Sequence, residues 1–286
     1  MVKVNFTKMV GAGNDFAVID SGLKGLNALA KRLCDRKTGI GADGMLVLEK
    51  SKIADFRMCI FNANGSEAEM CGNGLRCAIL YVKTYGRVSA QAHKGISKRF
   101  KVETKAGLYD GEITAKDRVK IKMEEPRDLK LDFPINVNGR EIKANFINTG
   151  VPHTVVFVEG LDKINVDSIG SQIRYHDEFK PKGSNVNFVE TIDNSNIKIR
   201  TYERGVEGET LACGTGSVAS AIISRVKGEA PNHLLRSGTG HGLRVKVNVH
   251  TKGGVLKVEF DNIKNKIKNV YLEGEAKIVF QGGIYV

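Results

Sequence analysis

Two segments of this chain rhyme: Asn62-Ala63-Asn64-Gly65-Ser66-Glu67-Ala68-Glu69-Met70-Cys71-Gly72-Asn73-Gly74 and Glu203-Arg204-Gly205-Val206-Glu207-Gly208-Glu209-Thr210-Leu211-Ala212-Cys213-Gly214-Thr215-Gly216. Each ends in Cys-Gly-X-Gly and runs into a helical stretch. The two cysteines stand about half of the 286 residues apart. That spacing predicts a duplicated unit that brings two thiols to one shared cleft. A cysteine at a helix N-terminus faces unpaired backbone N–H groups and the positive end of the helix dipole. Such surroundings favour thiolate and can lower a thiol pKa from ~8.5 to about 3.5–7.5. The glycines that follow let a ligand approach the backbone closely. The N–H groups of Gly72, Asn73, Gly214 and Thr215 are therefore candidates to hold a carboxylate. One thiolate could take the hydrogen from the adjacent α-carbon while the opposite thiol returns one to the other face. The N–H donors would stabilise the enolate-like charge that builds meanwhile.

Working outward, the pattern is strand-rich with a few helices. Alternation at Val2–Phe6 and Phe16–Ile19 predicts strands, and Leu26, Leu29, Ala30 and Leu33 follow helical spacing. Met45–Leu48, Phe56–Phe61, Phe100–Thr104 and Val119–Met123 read as strands. Gly74 opens a helix through Tyr85 that Gly86 can stop. The second half repeats the theme, with strands at Val155–Val158, Val186–Val189 and Ile197–Tyr202 and helices at Val166–Tyr175 and Gly214–Val226. Lys252-Gly253-Gly254 reads as a hairpin turn joining Leu243–Val249 to Val255–Phe260. Strands at Val270–Leu272 and Ala276–Phe280 end the chain. The fold class expected is α/β (α+β): two pseudo-symmetric domains, each a twisted, mainly antiparallel sheet around a helix. The boundary is expected near Glu125-Pro126-Arg127, giving halves 1–124 and 125–273, with the final strand 274–286 returning to the first half.

Composition narrows the function classes. An apolar fraction of 41% and a charged fraction of 27% are those of a globular protein. No apolar run approaches the ~18–20 residues of a membrane span, and Met1–Phe6 lacks the apolar core of a signal peptide. A cytoplasmic location is expected. Five cysteines, an odd number without Cys-X-X-Cys spacing, argue against a disulfide framework. Cys34, Cys59 and Cys77 have apolar-periodic neighbours and read as core. The six histidines are scattered, and neither a metal nor an organic cofactor is expected. The net charge of +12 includes the basic run Lys94-Gly95-Ile96-Ser97-Lys98-Arg99-Phe100-Lys101. With no nucleic-acid-binding motif beside it, this reads as a solvated surface that also suits an anionic small substrate.

Gly11-Ala12-Gly13-Asn14-Asp15-Phe16, Phe61-Asn62-Ala63-Asn64-Gly65-Ser66, Met70-Cys71-Gly72-Asn73-Gly74-Leu75-Arg76-Cys77 and the segment from Glu203 to Gly216 resemble the diaminopimelate epimerase family over nearly the whole chain. The resemblance implies β-barrel-like sheets around a central helix. It implies a dimer that works reduced and without cofactor, epimerising LL-2,6-diaminopimelate to the meso isomer in lysine and peptidoglycan-precursor synthesis. By matching position, Cys213 is similar to the base acting on the LL substrate, and Cys71 to the acid on the opposite face. His153 and Glu203 match residues that assist at the reacting centre. Asn14, Asn62 and Asn185 match substrate-binding asparagines, and Glu203 and Arg204 the pair that contacts substrate amine and carboxylate groups. Gly72, Asn73, Gly214 and Thr215 match the carboxylate cradle. The chain departs from the family pattern at Val151, where many members have asparagine, at Gly44, where some have glutamine, and in a longer loop at Gly205–Gly208. Another amino-acid racemase on the same fold is the alternative reading, and a non-catalytic basic binding protein a more distant one. The partner expected is a small-molecule substrate, with a second copy of the chain, and neither nucleic acid nor membrane.

Overall fold

The computed structural model describes residues 2–20, 22–86, 98–228, 243–263 and 266–286. In chain order its elements are β1 (Lys3–Gly11), β2 (Asn14–Asp20), α1 (Leu26–Cys34), β3 (Gly44–Glu49), β4 (Phe56–Asn62), β5 (Glu67–Ala68), α2 (Gly72–Tyr85), β6 (Arg99–Thr104), β7 (Gly107–Ala115) and β8 (Arg118–Lys122). Then come β9 (Arg127–Val137), β10 (Arg140–Asn148), β11 (Pro152–Phe157), α3 (Val166–Arg174), β12 (Asn185–Thr191), β13 (Asn196–Glu203), β14 (Gly208–Thr210) and α4 (Gly214–Val226). Last are β15 (Leu243–Thr251), β16 (Gly254–Ile263), β17 (Lys266–Glu275) and β18 (Lys277–Tyr285). The chain divides into two compact units, Met1–Lys122 with Glu273–Val286, and Met123–Leu272.

In the first unit β1 pairs antiparallel with β2 and with β18. The β2–α1–β3 crossover makes a parallel pair. β4 then pairs antiparallel with β3 and parallel with β6, and β6, β7 and β8 form an antiparallel meander. The helix α2 packs on β1, β2, β3, β4, β7, β8 and β18. Every residue from Asn73 to Val82 is buried, the signature of a core helix rather than an amphipathic surface one. Intrinsic propensity does not form this helix. Gly72 and Gly74 each cost about 1 kcal/mol relative to alanine. Burial of Leu75, Ile79, Leu80 and Val82, worth roughly 1.5–3 kcal/mol each, outweighs that. Gly86 ends it in the left-handed region at φ 63°, donating its N–H to Val82. By contrast α1 buries only Leu29, Ala30, Leu33 and Cys34, against β3 and β4.

The second unit repeats this plan strand for strand. β10 pairs antiparallel with β9 and β11, and the crossover through α3 makes β11 and β12 parallel. β13 then pairs antiparallel with β12 and β14 and parallel with β15, and β15–β16 is a hairpin. The helix α4 packs on β10, β11, β12, β13, β15 and β16, and is buried from Gly216 to Ser224. The duplication read from the rhyming segments is thus present in the topology, and the mixed, mainly antiparallel α/β class is observed.

Some boundaries differ from expectation. α2 begins at Gly72 rather than Gly74, because the glycine-rich turn already has helical hydrogen bonds, with Leu75 N–H on Cys71 O at 2.8 Å. α3 ends at Arg174, one residue early. The division falls at Lys122/Met123, before Glu125–Arg127, and at Leu272/Glu273. Residues 94–97 of the basic run lie outside the described residues. Cys34, Cys59 and Cys77 are buried in the core; burial pushes the Cys34 thiol up to about 11 and the Cys77 thiol up to about 12. No described helix is long and apolar enough to cross a membrane.

Candidate active site

Cys71 is the N-cap of α2 and Cys213 the N-cap of α4, both with extended backbone (φ −144° and −113°). Each carbonyl accepts the first helical bond, from Leu75 N–H at 2.8 Å and Ser217 N–H at 2.9 Å. The first-turn N–H groups of both helices therefore have no intrahelical acceptor, as in any α-helix. That leaves Gly72, Asn73, Gly214 and Thr215 able to cradle an anion, each within its own unit.

In the first unit a chain of side-chain hydrogen bonds supports the corner. Arg76 Nη2 donates to Asn73 Oδ1 at 2.6 Å, and Asn73 Nδ2 donates to Asn14 Oδ1. Asn14 Nδ2 in turn donates to Asp43 Oδ2 at 3.1 Å, and Arg36 holds Asp43 at 2.7 Å. Asn14 and Asn73 are therefore joined directly to the cysteine-bearing turn. Asn62 stands apart. It organises the Asn62–Ser66 turn, its amide on Ser66 Oγ at 2.9 Å. Gly44 faces Asn62 across the β3–β4 ladder, and a Cβ there would meet the Phe61 carbonyl oxygen at 2.9 Å. Neighbouring Asp15 is paired with Arg36 and Lys8, which hold its carboxyl well below the usual range against the opposing effect of burial.

In the second unit Cys213 Sγ lies 3.4 Å from Thr215 Oγ1, and Thr149 Oγ1 donates to Thr215 O at 3.0 Å. Beneath the turn sits Asn187, fully buried on β12. Its Oδ1 accepts from Thr201 Oγ1 at 3.0 Å, and its Nδ2 reaches Thr154 O at 3.2 Å and His153 Nδ1 at 3.1 Å. Those partners fix the amide orientation, so His153 Nδ1 is the acceptor and Nε2 carries the hydrogen. Nε2 is buried and has no hydrogen-bond partner. His153 therefore offers an unspent N–H donor, which is the kind of group a ligand satisfies. Glu203 ends β13, and burial raises its carboxyl pKa while the Thr210 hydroxyl opposes this. Asn185 spends its amide inside the protein, on Pro152 O and on the Arg204 N–H, both at 2.9 Å. It orients Arg204 through the backbone.

Burial, with the Arg204 charge adding to it, pushes the His153 pKa down from 6.5 to about 3. The neutral ring is thus a hydrogen-bond donor, not a base that titrates near neutrality. The unfolded chain protonates this histidine below about pH 6.5; the folded chain refuses the proton until about pH 3. Its folded pKa is depressed, so its stabilisation is complete above pH 6.5 and declines as the pH falls towards 3. Urea midpoints measured from pH 7 to 5, above most carboxylate titrations, should therefore decrease. In a His153→Gln variant that decrease should be smaller, and equal slopes would refute the assignment.

Sequence reading left several residues of these networks unassigned, Arg76 and Asn187 among them. Asn187 was detectable as the same-face neighbour of Asn185, two positions along β12. Arg76 was detectable as the one charge inside the apolar stretch that Leu75 opens.

Solved structures at low sequence identity share this fold. A Bacillus anthracis phenazine biosynthesis protein of the PhzF family aligns with TM-score 0.74 and 17% identity over 100% of both chains. A probable proline racemase from Agrobacterium radiobacter K84 aligns with TM-score 0.71 and 16% identity, over 99% of this chain and 93% of that one. Sequence similarity is narrower. The family model for diaminopimelate epimerase matches residues 6–129 and 145–279. The diaminopimelate epimerase of Aquifex aeolicus (strain VF5) is 41% identical over 294 residues, covering 98% of this chain and 97% of that protein. The chain belongs to the diaminopimelate epimerase family.

Proposed function

We propose that the protein epimerises LL-2,6-diaminopimelate to the meso isomer without a cofactor. The observation that carries the reading is a cysteine at the N-cap of the buried helix in each unit, in a chain of this family. Inverting a carbon needs a proton carrier on each face. Cys213 thiolate takes the α-hydrogen of the LL centre as a proton, the electron pair moves into the carboxylate, and Cys71 thiol delivers its proton to the opposite face. The reverse reaction exchanges the roles. First-turn N–H groups hold the carboxylate as its charge grows, a contribution that costs about 2.7–4 kcal/mol per donor when lost. The neutral His153 N–H and the Glu203 carboxyl, whose charged form burial disfavours, serve the reacting centre. Arg204, with Asn14 and Asn62, serves the charged groups of the substrate. We take the working form to be a cytoplasmic homodimer, on the family resemblance and on a thiol pair that needs reducing surroundings. Light scattering checks the dimer.

Reduced protein incubated with LL-diaminopimelate in heavy water should yield meso product carrying one deuterium at the inverted carbon, with no added metal or cofactor. A panel of other amino acids, proline among them, should remain unlabelled. Labelling of a different amino acid in preference to diaminopimelate would overturn the substrate assignment. Unlabelled meso product would overturn the proton-transfer chemistry.

A further inference from the structure

The loop that departs from the family pattern, Gly205–Gly208, carries a strained residue. Glu207 takes φ 58°, a left-handed conformation that glycine or asparagine adopts more cheaply. A side chain kept at such a position points to a use for it. Here the Glu207 carboxylate closes the loop and ties it down. Its Oε1 accepts the Gly205 N–H at 3.0 Å, while the Glu207 N–H reaches Glu203 O at 2.8 Å. The same Oε1 takes Arg174 Nη2 at 3.2 Å, and Oε2 accepts from the Tyr202 hydroxyl at 3.4 Å. Arg174, the last residue of α3, is no ordinary surface partner. Its side chain is 11% exposed, and its guanidinium lies over the Tyr175 ring at 4.5 Å. Gly183 makes the room for it, since a Cβ there would overlap Arg174 Nη1.

We propose that Glu207 is a positioning residue: through Arg174 and the Lys182 carbonyl it fixes the Arg204 guanidinium where a substrate carboxylate can meet it. The inference rests on the reading above, in which Arg204 serves the charged groups of the substrate. Arg174 Nη1 donates to Lys182 O at 3.1 Å, and Arg204 Nη1 donates to the same oxygen at 3.4 Å. One carbonyl, with two lone pairs, thus serves two guanidiniums. Two positive groups on one oxygen repel each other. Glu207 answers Arg174, so the second charge, on Arg204, is left for the substrate. Lys182 O is the one acceptor of the Arg204 guanidinium among the described residues. Nε and Nη2 therefore remain as a two-nitrogen fork for a carboxylate. The Arg204 backbone is held separately, its N–H on Asn185 Oδ1 at 2.9 Å. Loss of Glu207 should then release the side chain and leave the strand in place. Substrate binding should suffer, while the cysteine corner on α4 keeps its chemistry.

The test starts from Glu207→Gly, which removes the carboxylate while suiting the left-handed backbone. KM for LL-diaminopimelate should rise about tenfold with kcat nearly unchanged, the mark of lost binding rather than lost chemistry. Glu207→Gln keeps an acceptor for the Gly205 N–H but not the charge, and its KM should fall between the two. In an Arg204→Ala background Glu207→Gly should barely alter KM, because the group it positions is gone. An unchanged KM in the single variant, or the same rise in the Arg204→Ala background, overturns the inference. Hydrogen exchange of the free proteins, read by peptide mass spectrometry, needs no substrate. The reporters are the Gly183 and Ser184 amides, bonded to Phe179 O at 2.7 Å and Arg174 O at 3.4 Å. Both should exchange faster in Glu207→Gly, together with the amides of residues 203–208. Unchanged exchange at Gly183 and Ser184 overturns the inference whatever the substrate, and even where Arg204→Ala is too inactive to assay. A protein inert to diaminopimelate that shows the coupled exchange sinks only the proposed function.

Discussion

Cys71→Ala should abolish conversion of LL- to meso-diaminopimelate while hydrogen exchange at the LL carbon persists. In that variant Cys213, the N-cap of α4, keeps its first-turn N–H groups and its Thr215 neighbour at 3.4 Å. It can still remove the α-hydrogen and return a solvent-derived proton to the same face. What disappears is the carrier on the other face. Inversion then depends on adventitious water and should fall about 10²–10⁴-fold, the usual worth of a positioned acid or base. Heavy-water incubation should accordingly place deuterium into LL substrate without change of configuration.

Cys213→Ala should show the mirror-image pattern. With meso substrate, Cys71 washes deuterium into the D centre and little LL product forms. With LL substrate, neither exchange nor inversion proceeds. The double variant should lose both activities on both isomers. This pattern separates a two-carrier mechanism from a single base that services both faces. Under a single base, one cysteine variant would keep inversion nearly intact while the other lost everything. Chiral chromatography with mass detection reads configuration and label in the same run. Inversion retained at more than a tenth of the wild-type rate in either single variant would sink the two-thiol account.

The cysteine corners were legible because helix N-termini have a local grammar: an extended residue, then small residues that let the backbone close on a ligand. The central helices were legible from apolar runs bounded by glycine. The strands that escaped reading have physical reasons. In β7 the buried face is Tyr109, Gly111 and Ile113, a period-2 pattern masked because its middle member has no side chain. Gly111 is there because a Cβ would meet Ile79 Cδ1 of α2 at 2.3 Å. In β9 the first six residues are exposed, Pro134 sits inside the strand, and Asp128 and Asp132 take positive φ of 59° and 51°. Register shifts in β9–β10 break the alternation that sequence reading depends on. Among site residues, Cys71 and Cys213 announce themselves by local motif. The support given by Asn187 and Arg76 depends on which strand or turn lies opposite, and that is tertiary information.

Gly216→Ala should destabilise the protein and depress activity together, although alanine is the better helix former. Gly216 is on the first turn of α4, and a Cβ there would lie 2.3 Å from Asn187 Oδ1 and 3.3 Å from both Asn187 Cγ and Cys213 Cβ. The nearest atom belongs to a side chain, but one that cannot yield cheaply. Asn187 is fully buried and held by Thr201, Thr154 and His153 at 3.0–3.2 Å. Overpacking of this kind costs about 1–3 kcal/mol, and each hydrogen bond displaced adds about 0.5–1.5 kcal/mol. The propensity gain of alanine over glycine returns only about 1 kcal/mol. A net loss of about 2 kcal/mol corresponds to a melting point lower by roughly 4–8 °C. The neighbouring Gly214→Ala meets only Leu272 Cδ2, at 3.0 Å, the tip of an apolar side chain that holds no hydrogen bond and needs to give only slightly. It should leave the melting point almost unchanged, which separates a steric cause from a general effect of alanine in this turn. Shortening the obstructed side chain gives the sharper check. In an Asn187→Ala background, Gly216→Ala should cost much less than in wild type, because both substitutions act on one contact and their effects are not additive. Additive losses of stability in that cycle would show that the Gly216 Cβ never met Asn187 at all.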